Sequence, residues 1–271
     1  MKIINKMTRI FFSILIISIF TACSTKTSEF NRKEESLSED KVEETRTYTD
    51  YLGHVVTIPT SPERVIYHGE GFGDLLALNV NAVGGGFSWI TDYAWEERVK
   101  NVEDVGFPIN VEKTLALMPD LIIIATSDEK TYEQLSKIAP TIVFDSFAPI
   151  EQRVPELGDI LGKKVEATKW LSNYKQKADK MWEKLIDDGT IQPNETASVL
   201  TFYPGNRLFV MARAGLSQVL YDTNGFIPNE KIQDILDEDK GFEEISVELL
   251  HEYAGDRIFI LTPVDEEAQM I

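Results

Sequence analysis

Little in this chain can do covalent or metal chemistry unaided. It has one Cys, Cys23, and three His, at positions 54, 68 and 251. A single Cys excludes an internal disulfide and a Cys-rich metal site. The three His are far apart in sequence and share no ligand spacing. No nucleophile elbow accompanies them, so a secreted hydrolase stands only as a remote alternative. Basic residues are scarce as well. The 27 Lys and Arg face 45 Asp and Glu, for a formal charge of −18. That balance argues against nucleic acid as a partner, because phosphate binding needs a basic face. The apolar run from Ile10 to Phe20 is too short to cross a bilayer, which takes about 20 residues. What is present is ordinary for a packed protein: 43% apolar residues in 271, enough for one large domain or two small ones.

The lone Cys has a context. Lys2, Lys6 and Arg9 precede the apolar run, and Thr21-Ala22-Cys23 follows it, the layout of a secretory signal. The Phe20-Thr21-Ala22-Cys23 ending is similar to a bacterial lipobox, in which the Cys is acylated with fatty acids such as palmitate and becomes the mature N-terminus. Plain secretion with a chance Cys is the other reading. Ser24 to Thr45 is polar, mixed in charge and nearly free of apolar residues, so it reads as a flexible tether. The expected arrangement is a signal over 1–22, a tether over 23–45, and a folded part held near the membrane but free to move.

The folded part is organised around Lys163 to Asp187, a stretch without Gly or Pro. Leu171, Tyr174, Ala178, Met181 and Leu185 step by three and four, which predicts a helix with one packed face. At 1.5 Å per residue it is about 37 Å long, roughly a domain's width. The flanks echo each other. Asn110-Val111-Glu112 is followed by Asp120, Ile122, Ile124 and Thr126. Ser246-Val247-Glu248 is followed by Asp256, Ile258, Ile260 and Thr262, without a gap, at an offset of 136 residues. Each segment reads as a capped short helix leading into a buried strand.

Elsewhere, short apolar runs alternate with short helical stretches. Thr47–Asp50 and Val55–Ile58 suggest a hairpin, and strands are expected at Arg64–Tyr67, Ala82–Gly84, Leu121–Ala125 and Thr141–Phe144. Helices are expected at Phe72–Leu78, Tyr132–Ile138 and Glu151–Leu161. After the long helix come strands at Ser198–Tyr203 and Leu208–Met211, a helix at Leu216–Tyr221, a helix at Val247–Tyr253 and a strand at Ile258–Leu261. The fold class is therefore α/β, as two Rossmann-like lobes, 46–150 and 189–271, joined by a helical segment over 151–188. The second lobe carries fewer elements, which reads as a smaller or truncated lobe.

The chain resembles the lipoprotein receptors of iron-siderophore ABC importers, solute-binding proteins whose two lobes are joined by one long helix. The resemblance rests on Pro62-Glu63-Arg64-Val65, Leu115-Ala116-Leu117-Met118-Pro119-Asp120-Leu121-Ile122, Lys137-Ile138-Ala139-Pro140-Thr141 and Ile245-Ser246-Val247-Glu248. Ala214-Gly215-Leu216-Ser217-Gln218-Val219-Leu220-Tyr221 is similar to the second-lobe signature of the iron-hydroxamate branch. It implies a monomeric, lipid-anchored binding protein on the outer face of a Gram-positive cell membrane. That protein hands a ferric siderophore to a permease dimer and has no cofactor, its iron staying wrapped in the chelator. One acid from each lobe, Glu112 and Glu248, would meet the two permease subunits. A helix start favours a carboxylate in any case. Haem and cobalamin receptors share the architecture and form the alternative.

Ligands of open α/β sheets sit beyond the C-terminal ends of the strands. Those ends carry His68–Gly71, Phe87–Trp89, Thr126–Asp128, Asp145–Phe147, Tyr203, Met211–Arg213 and Thr262. The candidate binding residues are His68, Phe87, Trp89, Phe147, Tyr203 and Arg213, with Arg207 near by. Arg213 is read as a donor fork to hydroxamate oxygens or as a surface arginine. Phe87 and Trp89 are cleft wall or core. Tyr203 lines the cleft or caps a turn, and His68 is a ligand or a hydrogen-bonded loop residue. Basic residues are nearly absent from these loops. A ferric tricatecholate carries about three negative charges and would need several cations. A ferric trihydroxamate is nearly neutral and wants aromatic walls with one or two donors. The hydroxamate class is favoured on charge.

Overall fold

The computed structural model describes residues 44–86, 96–203, 205 and 207–261. Cys23, Phe87, Trp89 and Thr262 lie outside the described residues.

The described chain opens with an antiparallel hairpin, β1 (Thr45–Thr49) and β2 (Val55–Pro59). Asp50 fixes it. Its buried carboxylate accepts the N–H groups of Leu52 and His54 at 3.0 and 2.8 Å, and that of Val143 at 2.8 Å. One side chain thus closes the turn and ties the hairpin to the sheet that follows.

That sheet is built from β3 (Val65–His68), α1 (Phe72–Ala77), β4 (Gly84–Gly85), α2 (Glu96–Val99), β5 (Glu103–Asp104), α3 (Val111–Ala116), β6 (Leu121–Ile124), α4 (Glu129–Leu135) and β7 (Thr141–Val143). All its strands are parallel, in the order β5-β4-β3-β6-β7. Helical crossovers cover both faces, which is why β6 is an unbroken Leu-Ile-Ile-Ile run with every residue buried.

Next come α5 (Ile150–Ile160) and α6 (Lys164–Asp187). The inward residues of α6 are not quite those its sequence predicts. Trp182 is buried and Met181 faces out, so the packed line runs Ala167, Trp170, Tyr174, Ala178, Trp182. Met181 and Trp182 lie about 100° apart around the helix axis, and the second core meets the Trp182 side. The helix serves two cores. Ala167 and Trp170 pack with the first sheet, whereas Ala178, Trp182 and Leu185 pack with the second. Its middle is largely wet.

The second sheet comprises β8 (Thr196–Tyr203), β9 (Arg207–Met211), α7 (Ser217–Leu220), β10 (Ile227–Pro228), α8 (Glu230–Asp237), β11 (Phe242–Ile245), a 3₁₀ turn at Val247–Leu249, α9 (Leu250–Tyr253) and β12 (Arg257–Leu261). It is mixed rather than wholly parallel. β8 and β9 form a hairpin because only a short turn joins them, and β9 pairs antiparallel with β11. β10 and β12 pair parallel to β8.

The sequence echo has a structural counterpart. Asp120 accepts the N–H groups of Glu63 and Arg64 at 2.6 and 2.9 Å, at the start of β3. Asp256 accepts the N–H and hydroxyl of Thr196 at 2.9 and 2.7 Å, at the start of β8. Each acid staples its own strand to the parallel neighbour, β6 to β3 and β12 to β8. The caps differ. Asn110 Oδ1 accepts the Lys113 N–H at 2.9 Å, but Ser246 makes no such bond and its helix begins as the 3₁₀ turn. The strands differ too: β6 is fully buried, while Ile258 and Ile260 of β12 are 42% and 54% exposed.

Candidate functional site

A cleft of about 580 Å³ is bounded by loops of the first sheet and by one face of the second. Its size suits a small ligand. The first sheet contributes three residues, each just past the C-terminal end of a parallel strand: Glu70 after β3, Phe107 after β5 and Phe147 after β7. This is where open α/β sheets take their ligands.

The second sheet contributes differently. Thr201 and Tyr203 alternate along β8, and Arg207, Phe209 and Met211 alternate along β9, so each set points to one side. The register sets Leu261, Thr201 and Phe209 in one row, Tyr203 beside Arg207, and Met211 beside Phe242. The wall is therefore mainly a sheet face, extended past Met211 by Ala214 and Gly215 of the loop that follows β9. Rings run across it into the first sheet. Tyr203 meets Phe209 edge-on at 5.1 Å, Phe209 meets Phe242 at 5.7 Å, and Phe242 meets Phe147 at 5.5 Å. Gly241 lets this last approach happen, since a Cβ there would stand 2.8 Å from ring carbons of Phe147.

Among the described residues that line the cleft, Arg207 is the one cation. Glu244 grips its guanidinium with two bonds of 2.8 and 2.6 Å, and the group lies 4.8 Å over the ring of Phe209. Its charge is offset and its fork is held still. Arg213, singled out from sequence, is turned elsewhere. Its Nη1 pairs with Asp239 Oδ1 at 2.8 Å, and its Nη2 donates to the Asp239 carbonyl at 2.5 Å. Asp239 adopts a left-handed turn at the end of α8 (φ 61°), which brings both acceptors to the arginine. Arg213 is not among the residues lining the cleft.

His68 is buried behind the wall. Its Nε2 lies 3.0 Å from the Gly106 carbonyl, and its ring stacks on Phe107 at 5.4 Å. Burial lowers its pKa, which keeps the imidazole neutral with Nε2–H donating to that carbonyl. It therefore props up a wall residue. Phe147 and Tyr203 do line the cleft. Phe87 and Trp89 fall outside the described residues.

Phe107, Phe209 and Phe242 were not foreseen. The alternation Arg207-Phe209-Met211 beside Thr201-Tyr203 was the available signal, although alternation alone does not say which face meets a ligand. Glu112 and Glu248 are both exposed, each in the first turn after its cap position. Glu248 is held below the usual carboxylate range by its own backbone N–H and by the Ser246 hydroxyl. Both helices begin where a strand has just ended, β5 for Glu112 and β11 for Glu248, and β11 runs parallel to β8, whose end carries Tyr203.

Known proteins share this architecture. The chain is 33% identical over 257 residues to the iron(3+)-hydroxamate-binding protein YxeB of Bacillus subtilis (strain 168), covering 91% of this chain and 75% of YxeB. Among solved structures, the FhuD protein from S. pseudintermedius superposes with a TM-score of 0.71 at 26% identity, covering 82% of this chain and 80% of that one. Staphylococcus aureus SirA complexed with staphyloferrin B superposes with a TM-score of 0.68 at 28% identity, covering 81% of this chain and 77% of SirA. With the family model for periplasmic binding proteins matching residues 65–271, the chain belongs to the periplasmic binding protein family.

Proposed function

We propose that this chain is a non-enzymatic solute-binding protein that captures a ferric siderophore of the hydroxamate class outside the cytoplasm and delivers it to an ABC permease. The observation that carries the reading is the cleft wall: aromatic rings from both sheets, and a single lining cation already offset by Glu244. Moving a trianionic chelate into that wall would leave its charge unbalanced and desolvated. A nearly neutral trihydroxamate meets ring faces instead. Tyr203, Thr201 and the Nη1 of Arg207, which makes no hydrogen bond among the described residues, are donors for its metal-bound oxygens. In this reading the iron is cargo held by its own chelator.

The same reading takes 46–150 and 189–271 as two lobes joined by 151–188, acting as a monomer. Cys23 is the lipid attachment point that keeps the protein on the outer face of the membrane. Glu112 and Glu248 meet the two halves of a permease dimer. YxeB's name supports the hydroxamate class, while SirA's bound staphyloferrin B marks the wider range of chelates that the architecture takes.

Titrating intrinsic tryptophan emission with ferrioxamine, a ferric tricatecholate, haem and cobalamin tests the assignment. Saturable quenching by ferrioxamine, with at least about a hundredfold weaker response to the catecholate, is expected. Tighter binding of haem or cobalamin than of ferrioxamine would replace this reading with that of the related receptors.

A further inference from the structure

Glu70 is the one carboxylate among the lining residues, and it makes no hydrogen bond or ion pair among the described residues. It sits in the loop after β3, open to the cleft yet crowded by protein, and that crowding raises its pKa. Tyr203 faces it across the cleft. The phenol of Tyr203 is pushed up first by burial and then by the negative charge of Glu70. Arg207 does not neutralise Glu70, because Glu244 holds the guanidinium. Arg213 does not either, because Asp239 holds it. Among the described lining residues the cleft therefore carries one uncompensated negative charge, in a wall that also holds Phe107, Phe147, Tyr203 and Phe209.

An unpaired carboxylate among aromatic faces is the chemistry that recognises an organic cation. The carboxylate supplies the Coulomb attraction, and the ring faces supply cation–π contact. We infer that Glu70 selects ferric trihydroxamates bearing a protonated amine, by pairing with that ammonium group while the iron-bound core rests on the aromatic wall. This rests on the siderophore reading above and narrows it from a nearly neutral chelate to a cationic one. The same charge repels anionic carboxylate and catecholate chelates, so one residue attracts the right ligand and rejects the wrong ones.

The test compares ferrioxamine B, which ends in a primary amine, with the same chelate acetylated at that amine. Both are titrated into the full chain and into Glu70→Gln, with tryptophan emission as the readout and thermal melting as the fold control. The wild type is expected to bind the amine form at least about tenfold more tightly than the acetylated form. Glu70→Gln is expected to bring the two within about threefold by weakening only the amine form. Glu70→Asp should keep part of the preference, since it keeps the charge. Equal wild-type affinities would overturn the assignment, as would a preference that survives in Glu70→Gln or an equal loss for both chelates. None of these results would touch the siderophore reading. Failure of the wild type to bind either chelate would overturn both.

Discussion

Two side chains show how single residues hold separate elements together. Arg153, on α5, is buried and joins three elements. Its Nε meets Asp74 Oδ2 of α1 at 2.5 Å, and its Nη1 reaches the Ala148 carbonyl at 3.0 Å and Gln218 Oε1 of α7 at 2.6 Å. Gln218 in turn donates to the Arg213 carbonyl. The first sheet's helix is thereby bonded to the second half's α7 through one guanidinium. Arg153→Met leaves Asp74 buried without its partner and should cost about 3–5 kcal/mol, read from the urea midpoint. Gln218→Ala keeps the ion pair and should cost only about 1 kcal/mol. An equal loss for both would show that the ion pair is not the main contribution. His54 acts at the edge. Its Nδ1 lies 2.9 Å from Asp50, its Nε2 lies 3.4 Å from Glu129, and its ring stacks on Tyr132 at 3.9 Å. The hydrogen bond to Asp50, more than any other cause, raises its pKa. The sign follows from linkage. Protonated His54 contributes stability that is complete below the unfolded value of about 6.5 and is lost as pH rises through the higher folded value. His54→Asn should therefore lower the melting temperature more at about pH 6 than at about pH 9, and a deficit independent of pH would remove the charge from the explanation.

At the scale of elements, α6 is the member whose failure would spread furthest, because its two ends belong to different cores. It crosses α5 closely at Gly158, where a Cβ would stand 2.5 Å from that of Ala167. Gly158→Ala should cost about 1–3 kcal/mol by forcing the helices apart, seen as a drop in melting temperature. Trp182→Ala should cost about 3–5 kcal/mol, with hydrogen exchange rising first in β8 and β9 rather than in β3 and β6. Uniform loosening of both sheets would mean that the two cores do not respond separately. Much of this was legible beforehand. Continuous buried runs such as Leu121–Ile124 announce parallel strands, and the absence of Gly and Pro announces α6. Three things were harder to read. Trp182 takes the packed place of Met181 because the second half of α6 meets a different core from the first half, from another direction around its axis. α8 went unread although Asn229 caps it and Ile232, Ile235 and Leu236 have helical spacing, because the run is short and strongly charged. Ser246 repeats the position of Asn110 without repeating its bond. In the site, the loops after β3 and β7 were legible from topology. The second wall was legible only at Tyr203, Arg207 and Met211, since the alternation that adds Thr201 and Phe209 does not show which face lines the cleft. Arg213, read as a donor fork or a surface arginine, looks free at a strand end until Asp239, 26 residues later in sequence, is placed beside it.

At the scale of the molecule, the sequence echo and the paired staples at Asp120 and Asp256 relate two sheets that together wall one cleft. Glu112 and Glu248 stand outside that cleft, so capture and delivery should separate. Glu112→Ala with Glu248→Ala is expected to abolish siderophore-dependent iron uptake in cells while leaving the dissociation constant of the purified protein unchanged. Normal uptake by the double variant would remove both acids from docking. The most direct measurement is the position of the iron itself, from anomalous scattering at the iron edge in crystals grown with ferrioxamine B. The expected result is one iron peak inside the cleft, flanked by Phe147, Tyr203 and Phe209, with no protein atom within bonding distance of the metal. A peak outside the cleft, or a protein side chain bonded to the iron, would contradict it.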